Sequence, residues 1–172
     1  MESQRPPNFA EIADPSTRQA FLRGAPEAVL WLSAGTRLFK WTQSITGNRG
    51  VSPWWQFVEP RRLPSGADVP GVREMQTRAA RLGAHDRDFT RSRLAVTEQW
   101  NKLTRCPAIE LTRGAWGFVG KAAGQRKDVN DPQVFFIGGD YQVWVPGLTA
   151  TDIRQISILP YLAPNAPFGR PA

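Results

Sequence analysis

Apolar and polar positions alternate with period two in several short stretches of this chain, most clearly near its end. Val134 to Ile137 is an unbroken apolar run that reaches Gly138 and Gly139. Beyond Asp140, Tyr141, Val143 and Val145 fall on one face and Gln142 and Trp144 on the other. Successive strand side chains point to opposite faces, and β-branched and aromatic residues favour strands, so two strands are predicted here. Read structurally, the stretch is a core hairpin with Gln142 on its wet face. Read functionally, Gln142 and Trp144 emerge side by side into a site, and the glycine pair marks a turn or the close approach of a ligand.

Similar patterning divides the rest of the chain. Asp14-Pro15-Ser16 opens a short helix through Leu22 that stops at Gly24. Val29 to Trp31 reads as a strand or a helix end. Arg37 to Thr42 alternates, with Arg37, Phe39 and Trp41 on one face, and Val51 to Val58 is extended after the turn cluster at Gly47. Two adjacent tryptophans, Trp54 and Trp55, cannot both face a core from a regular strand, so one of them is free to line a pocket. Arg61 to Pro70 reads as a loop. Val72 to Leu82 reads as an amphipathic helix ending at Gly83, and Phe89 to Leu103 as a longer one with Phe89, Val96, Trp100 and Leu103 on a single stripe. A short strand at Pro107–Thr112, a glycine-rich aromatic stretch from Gly114 to Gly120, a basic mobile loop from Lys121 to Pro132 and a last strand from Ile153 to Leu159 complete the pattern. One domain spans residues 16–160, between an N-terminal arm (1–15) and a Pro-rich C-terminal arm (161–172).

Composition narrows this picture. Fifteen Pro and fifteen Gly imply many turns and short elements, hence substantial β content beside the helices. A single cysteine, Cys106, rules out a disulfide framework within the chain, and a single histidine, His85, leaves no His or Cys cluster for a metal. His85 lies at a polar joint and reads as structural or exposed. No apolar stretch approaches ~20 residues, so no membrane span is expected. The N-terminus lacks the apolar core of a Sec signal peptide, which points to a cytoplasmic protein or one delivered into a target cell by a route without a cleavable signal. The net charge is +7, and residues 71–126 carry eleven Lys/Arg against five Asp/Glu. Such a surface attracts phosphate-bearing partners, but the basic residues are scattered and no nucleic-acid motif accompanies them, so a solvated basic face ranks ahead of nucleic-acid binding.

Three candidate positions carry chemistry. Arg37 stands between aromatics on a strand face, where its planar fork matches two phosphate oxygens; equally, it is a surface arginine with its stem packed on rings. Ser52 precedes a proline and has a hydroxyl able to brace a neighbour. Gln142 can hydrogen-bond a hydroxyl but carries no charge.

Taken together, Gly35-Thr36-Arg37-Leu38-Phe39, Ser52-Pro53-Trp54-Trp55, the helical insert and Gly138-Gly139-Asp140-Tyr141-Gln142 resemble the ADP-ribosyltransferase fold, and within it the NAD-glycohydrolase toxins of the tuberculosis-necrotizing-toxin kind. The resemblance implies an α+β fold in which two small packed β-sheets form an NAD cleft. It implies Gln142 at the catalytic position and an NAD site formed by Arg37, Phe39, Ser52, Trp54, Trp55 and Trp144, with NAD as substrate and no metal. The strands of Arg37 and Gln142 would lie side by side or across one cleft. The transferase pattern Glu-x-Glu is replaced by Gln142-Val143-Trp144. Without a carboxylate to act as base for an acceptor, this tilts the expectation from protein ADP-ribosylation to hydrolysis of the nicotinamide–ribose bond, and an effector of this kind would have a cognate immunity protein. Two alternatives stand beside it. One is a non-enzymatic basic module for nucleic acid or an acidic protein. The other is a transferase whose acid comes from Glu98 or Glu110.

Overall fold

The computed structural model describes residues 5–47, 50–97, 101–128 and 131–162. Two short helices, α1 (Phe9–Ile12) and α2 (Pro15–Ala20), precede β1 (Ala28–Leu32) and β2 (Arg37–Phe39). Asp14 caps α2, its carboxylate accepting from the Thr17 amide at 2.7 Å; Pro15 stands in the first turn, as the sequence predicts, and the helix ends at Ala20, before the expected Leu22. The two-residue strands β3 (Thr46–Gly47) and β4 (Gly50–Val51) pair with each other, β5 (Trp54–Phe57) follows, and β6 (Arg61–Arg62) pairs with β7 (Asp68–Val69). Helices α3 (Val72–Arg81) and α4 (Asp86–Arg93) form the insert. The remaining strands are β8 (Ala108–Leu111), β9 (Ala115–Lys121), β10 (Gln125–Asp128), β11 (Asp131–Phe136), β12 (Tyr141–Trp144) and β13 (Ile153–Ile156).

Seven strands join in the order β1-β9-β12-β5-β2-β8-β13, antiparallel at every described pairing. The expected two sheets take the form of one sheet with two halves that share β5. Trp54 and Trp55 of β5 pair with Trp144 and Val143 of β12, whereas Gln56 and Phe57 pair with Phe39 and Leu38 of β2. Chain connectivity requires the sheet to bend. β1 and β2 are four positions apart, or ~19 Å across a flat sheet at ~4.8 Å per strand. The five residue steps from Leu32 to Arg37 span at most ~17 Å, and the turn closed by the Thr36 amide on the Ser33 carbonyl shortens that reach. The halves therefore fold toward each other around one core to which both contribute. Leu32, Trp55, Val119 and Val143 pack there with Leu38, Phe57, Ile109 and Leu111, all at most 3% exposed. Each such side chain contributes about 1.5–3 kcal/mol relative to exposure.

Helix α3 closes the other face of β2 through a second cluster containing Phe39, Val58, Val72, Met75 and Ala108. A third cluster gathers Ala13, Phe21, Phe118 and Trp144. The N-terminal segment docks there through Phe9, whose ring centroid lies 5.4 Å from that of Phe118 and 5.8 Å from that of Trp144.

Three expectations are corrected. The strands flanking Gly138-Gly139 are real, but they do not form a hairpin: β11 pairs with β10, and β12 enters the main sheet between β9 and β5. Consequently 121–132 is not simply a loop, since it holds the end of β9 and all of β10. The helix read from Phe89 to Leu103 ends at Arg93; Ala95 adopts φ 54°, and the buried Arg91 guanidinium turns back to donate to the Val96 and Asn101 carbonyls at 3.1 Å each. An interior guanidinium that satisfies non-helical carbonyls outweighs the continued apolar stripe. Trp100 of that stripe lies outside the described residues.

Candidate functional site

A cavity of about 270 Å³ opens at the bend of the sheet, where β12, β5 and the end of β2 meet α2 and the segment after α4. Gln142, Trp54, Trp55 and Ser52 line it together with Lys40 and Gln56. It shares Lys40, Ser52 and Asn101 with a cavity of about 510 Å³ to one side, and Ala20, Trp54 and Gln125 with one of about 570 Å³ to the other. Such a run of space suits a ligand larger than a single ring.

Period-two alternation works on β12 as the sequence indicates. Val143 and Val145 are fully buried in the main core, and Gln142 and Trp144 face the other way. Gln142 is 9% exposed, and its Nε2 donates to the Ala20 carbonyl at 2.8 Å. That bond settles the amide orientation, because only the nitrogen donates. Among the described residues no donor reaches Oε1, so the side chain is braced by its nitrogen and keeps its oxygen as an acceptor. On β5 the same alternation separates the tryptophans. Trp55 is 1% exposed in the core, its indole N–H donating to the Ser52 carbonyl at 2.7 Å. Trp54 is half-buried on the opposite face, with ring centroids 5.3 Å from Phe21 and 6.3 Å from Trp144.

The turn before Gln142 is firmly held. Gly138 adopts φ 68°, and a Cβ there would lie 2.7 Å from the Ala122 carbonyl oxygen, so this glycine serves a close backbone approach within the protein. The Gly138 and Asp140 amides donate to the Ser92 and Arg93 carbonyls at the end of α4. Asp140, 3% exposed, accepts on Oδ1 from Arg78 at 2.9 Å and from Arg93 Nε and Nη2 at 3.3 and 3.2 Å, while its Oδ2 is buried without a partner among the described residues. One carboxylate thus ties both insert helices to the strand that carries Gln142.

Among the described residues Lys40 is the one cation lining the 270 and 510 Å³ cavities, while Arg126 lines the 570 Å³ one. The Lys40 ammonium donates to the Ser52 hydroxyl at 2.5 Å and sits 5.4 Å from the centroid of the Trp55 ring. Burial pushes it down to about 8, and among the described residues no carboxylate forms an ion pair with it. Gln56 is 2% exposed; among the described residues its Nε2 meets only the Met75 sulfur, at 3.1 Å, and its buried Oε1 meets no donor.

The other expected residues lie elsewhere. Strand β5 separates β2 from β12, so the strands of Arg37 and Gln142 are not side by side. Arg37 lines none of these three cavities. Its Nε is 2.8 Å from Glu59 Oε1, its Nη1 donates to the Tyr161 hydroxyl, and its guanidinium stacks 4.7 Å from that ring. Phe39 is buried beneath α3. Trp144 lines the 510 Å³ cavity. Of the alternative acids, Glu110 accepts from Arg154 at 2.5 Å, and Glu98 lies outside the described residues. His85 caps α4, its Nδ1 accepting from the Arg87 amide at 3.1 Å, which is the structural role expected of it. The described residues contain no cluster of His, Cys, Asp and Glu able to hold a metal, and no helix long and apolar enough to cross a membrane.

Sequence reasoning missed Lys40, Gln56 and Asp140. Gln56 was legible from alternation with the two tryptophans. Lys40 was not: it falls on the Leu38 face, but nothing local in the sequence marks a lysine there as set over the Trp55 ring and beside Ser52.

The sequence matches no family model and no curated protein. Among solved structures the chain is similar to Rhs1-CT in complex with its cognate immunity protein RhsI1, at 19% identity over 76% of each chain with a TM-score of 0.46. It is also similar to Tse6 in complex with Tsi6, at 10% identity over 86% of this chain and 87% of that one, with a TM-score of 0.40.

Proposed function

We propose that the cleft cleaves the nicotinamide–ribose bond of NAD with water as acceptor. The observation that supports this reading is the meeting of Gln142 with Ser52 and Trp54 at one cavity from two distant parts of the chain, with the Gln142 amide braced on Ala20 and its oxygen unclaimed by any described donor. In this reading a ribose hydroxyl of NAD donates to Gln142 Oε1, and the Trp54 face lies against a flat ring. As the C1′–N bond breaks, its electron pair leaves with nicotinamide and positive charge develops on the ribose. Water adds at C1′ and gives up one proton, so NAD and water become ADP-ribose, nicotinamide and H⁺. Gln142 supplies orientation and an acceptor dipole, worth most in a water-poor site. Arg37 takes a phosphate contact here only by leaving Glu59 and Tyr161.

The reading carries an effector role with it: a cell that receives the domain loses NAD, and a cognate immunity protein protects the producer. Incubation with NAD tests the chemistry. Free nicotinamide without labelled protein supports hydrolysis. Labelled protein supports transfer, and neither product supports a binding module.

A further inference from the structure

An ammonium partly withdrawn from water normally faces a carboxylate, because its desolvation is otherwise uncompensated. Lys40 is held instead by a neutral hydroxyl and an indole face, where two cavities share it as a wall. Ser52 accepts the ammonium proton on Oγ and keeps its own hydroxyl hydrogen to donate. The pair therefore presents an ammonium and an O–H side by side to empty space, with no negative charge from the described residues to match them. Arg37, the other cation considered for an anion, already has Glu59 as its counter-ion.

We infer that Lys40 and Ser52 form the anion seat of the cleft, and that it takes a phosphate or diphosphate group at the junction of the two cavities. It rests on the NAD reading only for the identity of the molecule that carries the phosphates. Charge-assisted contacts from the ammonium and the hydroxyl supply the affinity, and Trp55, fixed by its bond to the Ser52 carbonyl, holds both groups in register. Only the protonated amine serves. Lys40 loses its proton from about pH 8 in the free protein, so affinity falls as pH rises through that value, by up to ~10-fold per unit.

The test is calorimetric titration with ADP, whose diphosphate is largely ionised from about pH 7 and gains rather than loses charge as pH rises, and with adenosine, which has the base and sugar but no anion. The parent is expected to bind ADP and to prefer it clearly to adenosine. Lys40→Met is expected to lose ~10- to 100-fold in ADP affinity and to erase the preference. Lys40→Arg keeps a charge at every pH and is expected to bind ADP equally at about pH 7 and about pH 9, where the parent weakens. The inference is overturned if the parent does not bind ADP, if its ADP affinity is flat from about pH 7 to past the ordinary lysine value of 10.5, or if Arg37→Met costs more affinity than Lys40→Met. The parent's own pH profile decides the matter even if a Lys40 variant fails to fold. Nicotinamide release with no effect of Lys40→Met on the KM for NAD would sink the anion seat and leave the NAD reading standing. ADP affinity lost in Lys40→Met without any nicotinamide release would do the reverse.

Discussion

Removing the Asp140 carboxylate should loosen the joint between the helical insert and β12. In Asp140→Ala the three contacts from Arg78 and Arg93 disappear together. Hydrogen bonds to charged groups contribute about 1.5–3 kcal/mol each, but the full sum does not apply. The arginine side chains are 40% and 28% exposed and regain water, and the variant is relieved of a buried carboxylate whose Oδ2 has no described partner. A net loss of about 2–3 kcal/mol follows. For a chain of 172 residues, each kcal/mol moves Tm by about 2–4 °C, so the melt should fall by about 4–12 °C. Asp140→Asn keeps the shape and one acceptor and should fall in between. Double-mutant cycles with Arg78→Ala and Arg93→Ala should give coupling energies of at least ~0.5 kcal/mol, as expected for residues in one network. A Tm for Asp140→Ala within about 2 °C of the parent would refute the reasoning, since it would mean that the carboxylate bears no net load.

Other perturbations follow from the same geometry. Gln56→Met removes a buried amide whose oxygen has no donor among the described residues, at nearly constant volume, so Tm should rise by about 2–6 °C; a fall would show that the amide is satisfied. Hydrogen bonds from Arg113 and Thr149 hold the Asp152 carboxyl far below its ordinary value of 3.8, so its stabilisation is complete above that pH and drains away as pH falls below it. Asp152→Asn should therefore lose stability at neutral pH and flatten the acid limb of a Tm–pH curve, and an unchanged limb would contradict this. Between pH 8 and 10.5 the unfolded chain holds a proton at Lys40 that the folded one lacks. The parent should accordingly gain stability relative to Lys40→Met across that window, which thermal melts at its two ends would check.

The alternating segments were legible because each has one face in the core. A one-residue slip on β12 would put Gln142 and Trp144 into the cluster that holds Val143 and Val145. Pairing partners were not legible. The apolar run at 134–137 looks like half of a hairpin with Tyr141–Val145, but the left-handed Gly138 and Gly139 carry the chain from one ribbon to another sheet instead of closing a two-residue turn. The end of α4 was hidden because the stripe of Phe89, Val96 and Leu103 continues past it, and what stops the helix is a guanidinium bonding carbonyls five and ten residues on. For the site, Ser52, Trp54, Trp55 and Gln142 share a cavity because β5, with the Ser52 segment before it, pairs with β12, and only the family resemblance had grouped them. Arg37 looked free in the sequence because Glu59 and Tyr161, which engage it, lie 22 and 124 residues away.

The central claim is that Gln142 promotes cleavage of NAD in this cleft. Its most direct test compares nicotinamide release from NAD by the parent and by Gln142→Ala, with folding of the variant verified by its melt. The account predicts release by the parent and a ~10- to 1000-fold lower kcat in Gln142→Ala, the range for losing one transition-state hydrogen-bond partner. KM for NAD should change little, because the lost contact acts mainly on the transition state. Release by Gln142→Ala at the parent's rate, or no release by the parent itself, would contradict it.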